Sequence, residues 1–289
     1  MDGAPGASPS GSQAPSQHRS NPIHDTFWRR ILTRLAVSIV NTKGLRHLFK
    51  SPGGVIFVSN FCIKAGPFTT LAEANVLQFV RDNTTIPVPT VYCAFTENGQ
   101  TYIVMERIRA PMVASTWYLR SEESKAKILA QLRDMVEQLR RIQPPKDMGV
   151  ANLDGGAIYD PRLPNDSFWG PFDTIDDFHR QLRQGTDGHH PEDPPDLKEL
   201  ISFHELPSPP PVFTHGDLSS LNILARGDDI VGIVDWETTG WYPPYWEYTT
   251  AIHVNPQNQF WQDEIDNFLT PMPYELEMEK IRRRYFGDF

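Results

Sequence analysis

Hydrophobic positions along the chain change period several times, and each change marks an element. Phe27, Trp28, Ile31, Leu32, Leu35, Ala36, Ile39 and Val40 recur at helical spacing behind Asp25 or Thr26 as cap, which predicts an amphipathic helix ending near Asn41. Most such stripes serve a core, so the helix is expected to dock on the domain. Arg29, Arg30 and Arg34 beside it are the alternative signature of a helix lying on a membrane surface. Short apolar runs at residues 45–49, 55–59, 61–64, 91–96 and 101–106 read as five strands, with turn residues between them. Between the third and fourth runs, Thr70 opens a helix carried by Leu71, Ala74, Leu77 and Val80 to about Asp82, and the IPVP sequence at residues 86–89 breaks it.

Beyond residue 108 the pattern is mainly helical. Ser121 caps a long helix whose Ile128, Leu132, Met135, Val136, Leu139 and Ile142 form one stripe, stopped by Pro144 and Pro145, and this helix is expected to be a buried spine. Trp241, Tyr245, Trp246 and Tyr248 form a dense aromatic cluster of the kind that more often fills a core. Glu247 among them needs a partner once buried, and an arginine of a last helix at residues 275–285 is one candidate.

One stretch, residues 212–237, breaks the helical pattern and carries chemistry. It reads as a short strand, a loop with His215, Gly216 and Asp217, and two strands at 222–225 and 230–234 folded about a turn at 226–229. Antiparallel pairing is expected to set Asn222 opposite Asp235 and, with Asp217, to gather hard oxygen donors on one edge. Each residue alone is ordinary turn or strand-end chemistry. Together they form HxDxxxxN followed by a strand ending in Asp. In kinase-type phosphoryl transfer the loop Asp accepts the proton of the attacking hydroxyl, while the Asn and the second Asp hold magnesium. His215 reads as a residue that fixes the loop through backbone hydrogen bonds, and Gly216 as one that permits a tight turn.

Composition narrows the partners. The chain has 289 residues, enough for one large domain or two modest ones, and its formal charge of -9 argues against nucleic acid while leaving a cationic small molecule open. Cys62 and Cys93 are the only cysteines and show no metal or disulfide spacing, which suits reduced thiols in the cytoplasm. No apolar run of about 18 residues and no signal core occurs, so no membrane partner is expected. Residues 1–22, rich in Ser, Pro and Gly, read as a disordered tail.

The segments FTHGDLSSLNIL (213–224) and GIVDWE (232–237) resemble the aminoglycoside phosphotransferase family, particularly its fungal branch of small-molecule kinases. IPVPTVY (86–92), GPFDTIDDFHRQL (170–182) and GWYPPYWEYTTA (240–251) extend the likeness over most of the chain. The resemblance implies an α+β, two-lobed, protein-kinase-like fold: a small nucleotide-binding lobe of antiparallel sheet plus helix at 23–107, and a mainly helical, catalytic and acceptor-binding lobe at 108–289. It implies ATP and Mg2+ as cofactors and a small hydroxylated acceptor. By the same resemblance Lys64 contacts the nucleotide phosphates and pairs with Glu73, although Thr70 and Glu73 also fit a capping box. The hinge would fall at residues 105–108, where the backbone of Glu106 and Ile108 would bond the adenine edge. The SPGG turn at 51–54 is either a phosphate-covering loop or a plain hairpin turn. In the acceptor region, Asp154, Asp160, Asp173, Asp176 and Asp177 either line a pocket for a cationic group or face solvent, and the aromatic cluster around Trp241 is either core or acceptor floor.

Ser219 stands where protein kinases carry lysine, and the DFG and APE landmarks are missing, which disfavours a protein substrate. The leading reading is an ATP- and Mg-dependent kinase. The alternative is a pseudokinase, a binding or regulatory scaffold that keeps the fold, favoured by the compressed SPGG turn. Metal-assisted hydrolysis would leave Lys64 and its helix unexplained.

Overall fold

A computed structural model describes residues 20–42, 49, 54–66, 68–163, 168–188, 190–253 and 259–287. Most of the N-terminal tail, the expected strand at 45–49 apart from Phe49, and the SPGG turn apart from Gly54 lie outside these residues. The end of the tail is placed: the Ser20 hydroxyl donates to Asp154, and Ile23 exchanges two backbone bonds of 2.9 Å with Ala94.

Helix α1 (Phe27–Val40) follows, and of its apolar stripe only the edge with Ala36 and Val40 docks, the larger side chains turning away. Thr33 and Val40 are buried, Ala36 and Val37 partly so, and they meet Ile56, Ile63, Cys93, Phe95 and Val104 of the sheet. Phe27, Trp28, Leu32, Leu35 and Ile39 point outward and are 53–70% exposed. Ion pairs flank the docked face. Arg30 pairs with Asp25 at 2.5 Å and lies over the Phe95 ring, and Arg34 reaches Glu97 at 2.9 Å.

The described part of the sheet has four strands, β1 (Ile56–Val58), β2 (Phe61–Gly66), β3 (Val91–Glu97) and β4 (Gln100–Glu106), in the order β1-β2-β4-β3, all antiparallel. The other face of this sheet is covered by α2 (Leu71–Asn83), whose Ala74, Leu77 and Val80 join Ala94, Ile103 and Met105 in the main core.

After a single turn, α3 (Val113–Thr116), the spine helix α4 (Glu122–Arg141) starts where expected. The Ser121 hydroxyl accepts the Ser124 amide at 3.2 Å, and Ile128, Leu129, Leu132, Val136 and Leu139 are buried. Around α4 lie a short hairpin, β5 (Ile158–Tyr159) with β6 (Phe168–Trp169), and helices α5 (Ile175–Leu182) and α6 (Pro195–His204). Strand β7 (Val212–Thr214) leads through the loop carrying His215, Gly216 and Asp217 to a second hairpin, β8 (Ile223–Arg226) with β9 (Asp229–Ile233). Then come β10 (Gly240–Tyr242), which pairs with β7, and helices α7 (Trp246–His253), α8 (Gln259–Gln262) and α9 (Pro273–Phe286). Trp241, Tyr245, Trp246 and Tyr248 are buried core side chains.

The β8/β9 register differs from expectation. Counted from the turn, where Arg226 pairs with Asp229, a regular ladder puts Asn222 opposite Ile233 and not Asp235; a bulge between Leu224 and Ala225 then shifts the ladder by one, so Ile223 faces Ile233, and the Val234 amide donates to the Asn222 carbonyl at 2.9 Å. Asn222 therefore stands opposite Val234, and Asp235 lies one residue beyond.

Candidate active site

The loop between β7 and β8 is held from several sides. Glu247 of α7, 1% exposed, accepts the amides of His215 at 2.7 Å and Gly216 at 3.0 Å. Its cationic neighbour is Arg140 of α4 at 4.0 Å, not an arginine of the last helix, where Arg282 instead pairs with Glu279 at 2.7 Å. The Asp217 amide donates to His215 Nδ1 at 3.1 Å, so the imidazole proton sits on Nε2, which donates to the Val234 carbonyl at 3.2 Å. Burial lowers the His215 pKa and keeps the ring neutral. His215 thus fixes the loop through the backbone. Gly216 has φ of +83°, and a Cβ there would stand 3.0 Å from the carbonyl and hydroxyl oxygens of Thr238.

Asp217 and Asn222 are joined directly: Asn222 Nδ2 donates to the Asp217 carbonyl and to its Oδ2, each at 3.0 Å. Arg162, from the segment after β5, is also drawn in. It forks onto Asp160 through Nε at 2.7 Å and Nη2 at 2.8 Å, and donates to the Gly216 carbonyl at 2.5 Å. Asp217 Oδ1 and Arg162 Nη1 are both buried without a hydrogen-bond partner among the described residues. Burial raises the Asp217 pKa to about 6, with the Arg162 charge opposing the rise.

Across the cleft, Lys64 of β2 donates to Glu73 of α2 at 3.0 Å, Asp235 at 2.8 Å and Glu237 at 2.6 Å. Thr70 makes no side-chain cap bond, so of the two readings of Glu73 the ion pair is the one realised. Burial works against the Lys64 charge, but the three carboxylates outweigh it and raise its pKa. Burial likewise lifts Glu73 to about 7 against the pull of Lys64. Asp235 takes a left-handed conformation, φ 65° and ψ 60°, a sparsely populated state that clusters at functional sites.

These groups open onto a cleft of about 580 Å³, walled by Phe57, Cys62, Leu77, Met105 and Leu224 and edged by residues 106–110, with Lys64, Asn222 and Asp235 at its polar end. Glu106, Ile108, Lys64, Glu73, Asn222 and Asp235 all line it, while Asp217 stands behind Asn222. Among the described residues no group of three or more His, Cys, Asp or Glu is disposed to hold a metal alone. The donors nonetheless suit a hard cation that takes one or two protein oxygens and fills its shell with phosphate and water. Asn222 commits its amide nitrogen to Asp217, and three carboxylates surround the single Lys64 ammonium.

Three contributors were missed by sequence reasoning. Glu237 carries a weak signal, two residues past Asp235 in the DWE sequence. Arg162 and the role of Glu247 carry none, because each acts on a loop more than 30 residues away. The five aspartates of the acceptor region do not assemble. Asp160 is taken by Arg162, Asp154 accepts from Ser20, Asp176 pairs with Arg180, Asp177 joins the Thr174 cap of α5, and Asp173 is exposed.

A sequence model described as the phosphotransferase enzyme family matches residues 67–272. The chain belongs to this family. The match begins just after Lys64, so that residue rests on geometry alone. No curated protein matches the sequence of this phosphotransferase. Its fold is similar to that of a thermostable mutant of the aminoglycoside phosphotransferase APH(4)-Ia in ternary complex with AMP-PNP and hygromycin B. That likeness has a TM-score of 0.54 and 15% identity, and covers 80% of this chain and 78% of the other. The streptomycin-ATP-APH(2")-IIa complex is similar at a TM-score of 0.51 and 12% identity, with coverage of 80% and 78%. Identities this low speak to fold, and the fold of this phosphotransferase is the α+β, two-lobed, kinase-like one.

Proposed function

We propose that the protein moves the terminal phosphoryl group of ATP to a hydroxyl of a small molecule in a magnesium-dependent reaction. The observation that carries this reading is the meeting of Lys64 and Glu73 from the small lobe with Asp235 at one cleft, beside a loop that presents Asp217 bonded to Asn222. The complexes of APH(4)-Ia with AMP-PNP and of APH(2")-IIa with ATP support nucleotide binding.

Asp217 orients the acceptor hydroxyl and takes its proton as the oxygen attacks phosphorus. Arg162 opposes the cost of burying that carboxylate and keeps it available as a base. Lys64 exchanges part of its carboxylate contacts for nucleotide phosphates. Asn222 and Asp235 would hold magnesium, which supplies charge neutralisation along the phosphates. In the hinge the Glu106 amide is committed to the Thr90 carbonyl at 2.8 Å and the Arg107 amide to Asn60 at 2.9 Å, which leaves the backbone around Ile108 to meet the adenine edge. A small lobe of about residues 23–107 and a large lobe from 108 onward follow from this division of labour.

Thermal unfolding with ATP, with and without Mg2+, tests the reading. At about 100 times its dissociation constant a ligand adds roughly 2.7 kcal/mol. The magnesium-dependent part of the shift should vanish in Asp235→Asn and persist in Asp217→Asn, while Asp217→Asn loses about 10²–10⁴-fold in turnover. No shift of the wild type at millimolar Mg-ATP would overturn the proposal.

A further inference from the structure

The side chains that α1 turns away from the sheet have a spacing of their own. Trp28, Leu32, Leu35 and Ile39 are separated by four, three and four positions, the rhythm of a coiled-coil seam along a helix of 14 residues. At 3.6 residues per turn the four fall within an arc of about 60°. All are more than half exposed, as is Phe27 beside them. Ile31, Ala36 and Ser38 border the seam, so no charge stands next to it. A contiguous apolar stripe of this kind marks an interaction surface.

Three occupants compete for it, and two match poorly. An anionic membrane needs basic side chains free around the stripe. Here Arg29 donates to the carbonyls of His24 at 3.1 Å and Tyr92 at 2.9 Å, Arg30 pairs with Asp25, Arg34 pairs with Glu97, and the chain has a formal charge of -9. Residues 1–19, outside the described ones, offer Met1 as their one large apolar side chain, too little to cover the stripe. A second copy of the helix does match. The 4-3-4 spacing is unchanged on reversal, so a copy laid antiparallel about a two-fold axis sets Trp28 against Ile39 and Leu32 against Leu35, each pair twice. Covering the five outward side chains on both copies removes roughly 1,000 Å² from water, the lower end of what a specific interface needs. The cleft stays open in such a pair. Helix α1 packs on Ile56, Ile63 and Val104, whereas Phe57, Cys62 and Met105, which alternate with them along the strands, line the cleft from the other face.

We propose that α1 is the contact surface for a second copy of this chain, joined antiparallel through Trp28, Leu32, Leu35 and Ile39 in a reversible two-fold dimer. An interface of this size holds with a dissociation constant on the order of 10 µM, so the dilute chain is a folded monomer whose own unfolding the outward face does not govern.

Sedimentation velocity of the full chain from about 1 to about 200 µM, either side of that constant, is the test. The wild type should pass from one to two chain masses across the range. Trp28→Glu combined with Leu32→Lys should stay monomeric throughout and keep the wild-type melting curve at the dilute end, which separates loss of association from loss of fold. Leu32→Lys alone and Leu35→Glu alone should each associate at least about tenfold more weakly, and an equimolar mixture of the two should recover dimer, because position 32 of one copy faces position 35 of the other. A wild type that stays monomeric at the highest concentration, a dimer indifferent to these substitutions, or assemblies larger than two overturn the proposal. A mixture that fails to recover dimer overturns the antiparallel register. Binding of the dilute wild type to phosphatidylserine vesicles, lost in the double variant, would assign the face to a membrane instead.

Discussion

At Gly216 the backbone sits at φ of +83° and a methyl group would press on Thr238 from 3.0 Å, so Gly216→Ala meets both an unfavourable conformation and a wall of backbone. The strain should cost about 1–3 kcal/mol in urea unfolding. Because the amide of the next residue, Asp217, bonds to His215 and its side chain to Asn222, relief of that strain displaces the proposed base. Nucleotide stabilisation should therefore persist in this variant while turnover falls steeply, a split that separates loop geometry from cleft binding. Residues of this kind were legible because their spacing is local: His215, Gly216, Asp217 and Asn222 lie within eight positions of one another. Glu247 was legible only as a buried acid in need of partners. That the partners are two amides of the loop depends on how α7 packs against β7, and no nearby pattern encodes it.

Element by element, periodicity located most segments and misjudged one face. The spine α4, the helix α2 and the strands around them begin and end close to where their apolar stripes and breakers place them. In α1 the large apolar side chains turn outward and a smaller face, Thr33 and Val40 with Ala36 and Val37, meets the sheet, flanked by the Arg30–Asp25 and Arg34–Glu97 pairs. A stripe records that a helix is amphipathic; which side docks depends on the shape of the sheet it meets. The expected consequence is that Trp28→Glu combined with Leu32→Lys changes unfolding free energy by no more than about 0.5 kcal/mol. Val40→Ala, which removes buried carbon from the sheet contact, should cost about 2 kcal/mol. Equal losses in both variants, measured by chemical denaturation, would mean that the outward face is the docked one. The β8/β9 hairpin shows a second limit, since its two strands were readable but the bulge that moves Asn222 opposite Val234 was not.

Across the whole molecule, Lys64 ties Glu73 of the small lobe to Asp235 and Glu237 of the large one, and a single main core runs from α2 through α4 to the residues around Trp261. Stability is therefore a property of both lobes together, and its pH dependence sums opposing groups. Glu73, Asp217 and Glu237 have raised pKa values, so the native state takes up protons before the unfolded chain does and gains relative stability as pH falls through them. Two stacked histidines in the large lobe act the other way. His179 and His204 lie 4.2 Å apart. His179 Nδ1–H donates to the His204 carbonyl, and its Nε2 accepts from the Tyr245 hydroxyl. Burial lowers His179 to about 4 and His204 well below its ordinary value, the latter with His179 and Arg183 adding to the effect. Both stay neutral in the native state while the unfolded chain binds their protons below about pH 6.5, so each removes stability as pH falls through that value. The groups oppose one another in the total, so the sign is best read from a difference. His204→Phe keeps the ring stack and leaves the backbone carbonyl that His179 uses. Its unfolding free energy relative to wild type should rise by about 2 kcal/mol between pH 7.5 and pH 5 and stay level above pH 7.5. A pH-independent difference in paired urea titrations would show that His204 is protonated in the native state, and the neutral stacked pair would have to be abandoned.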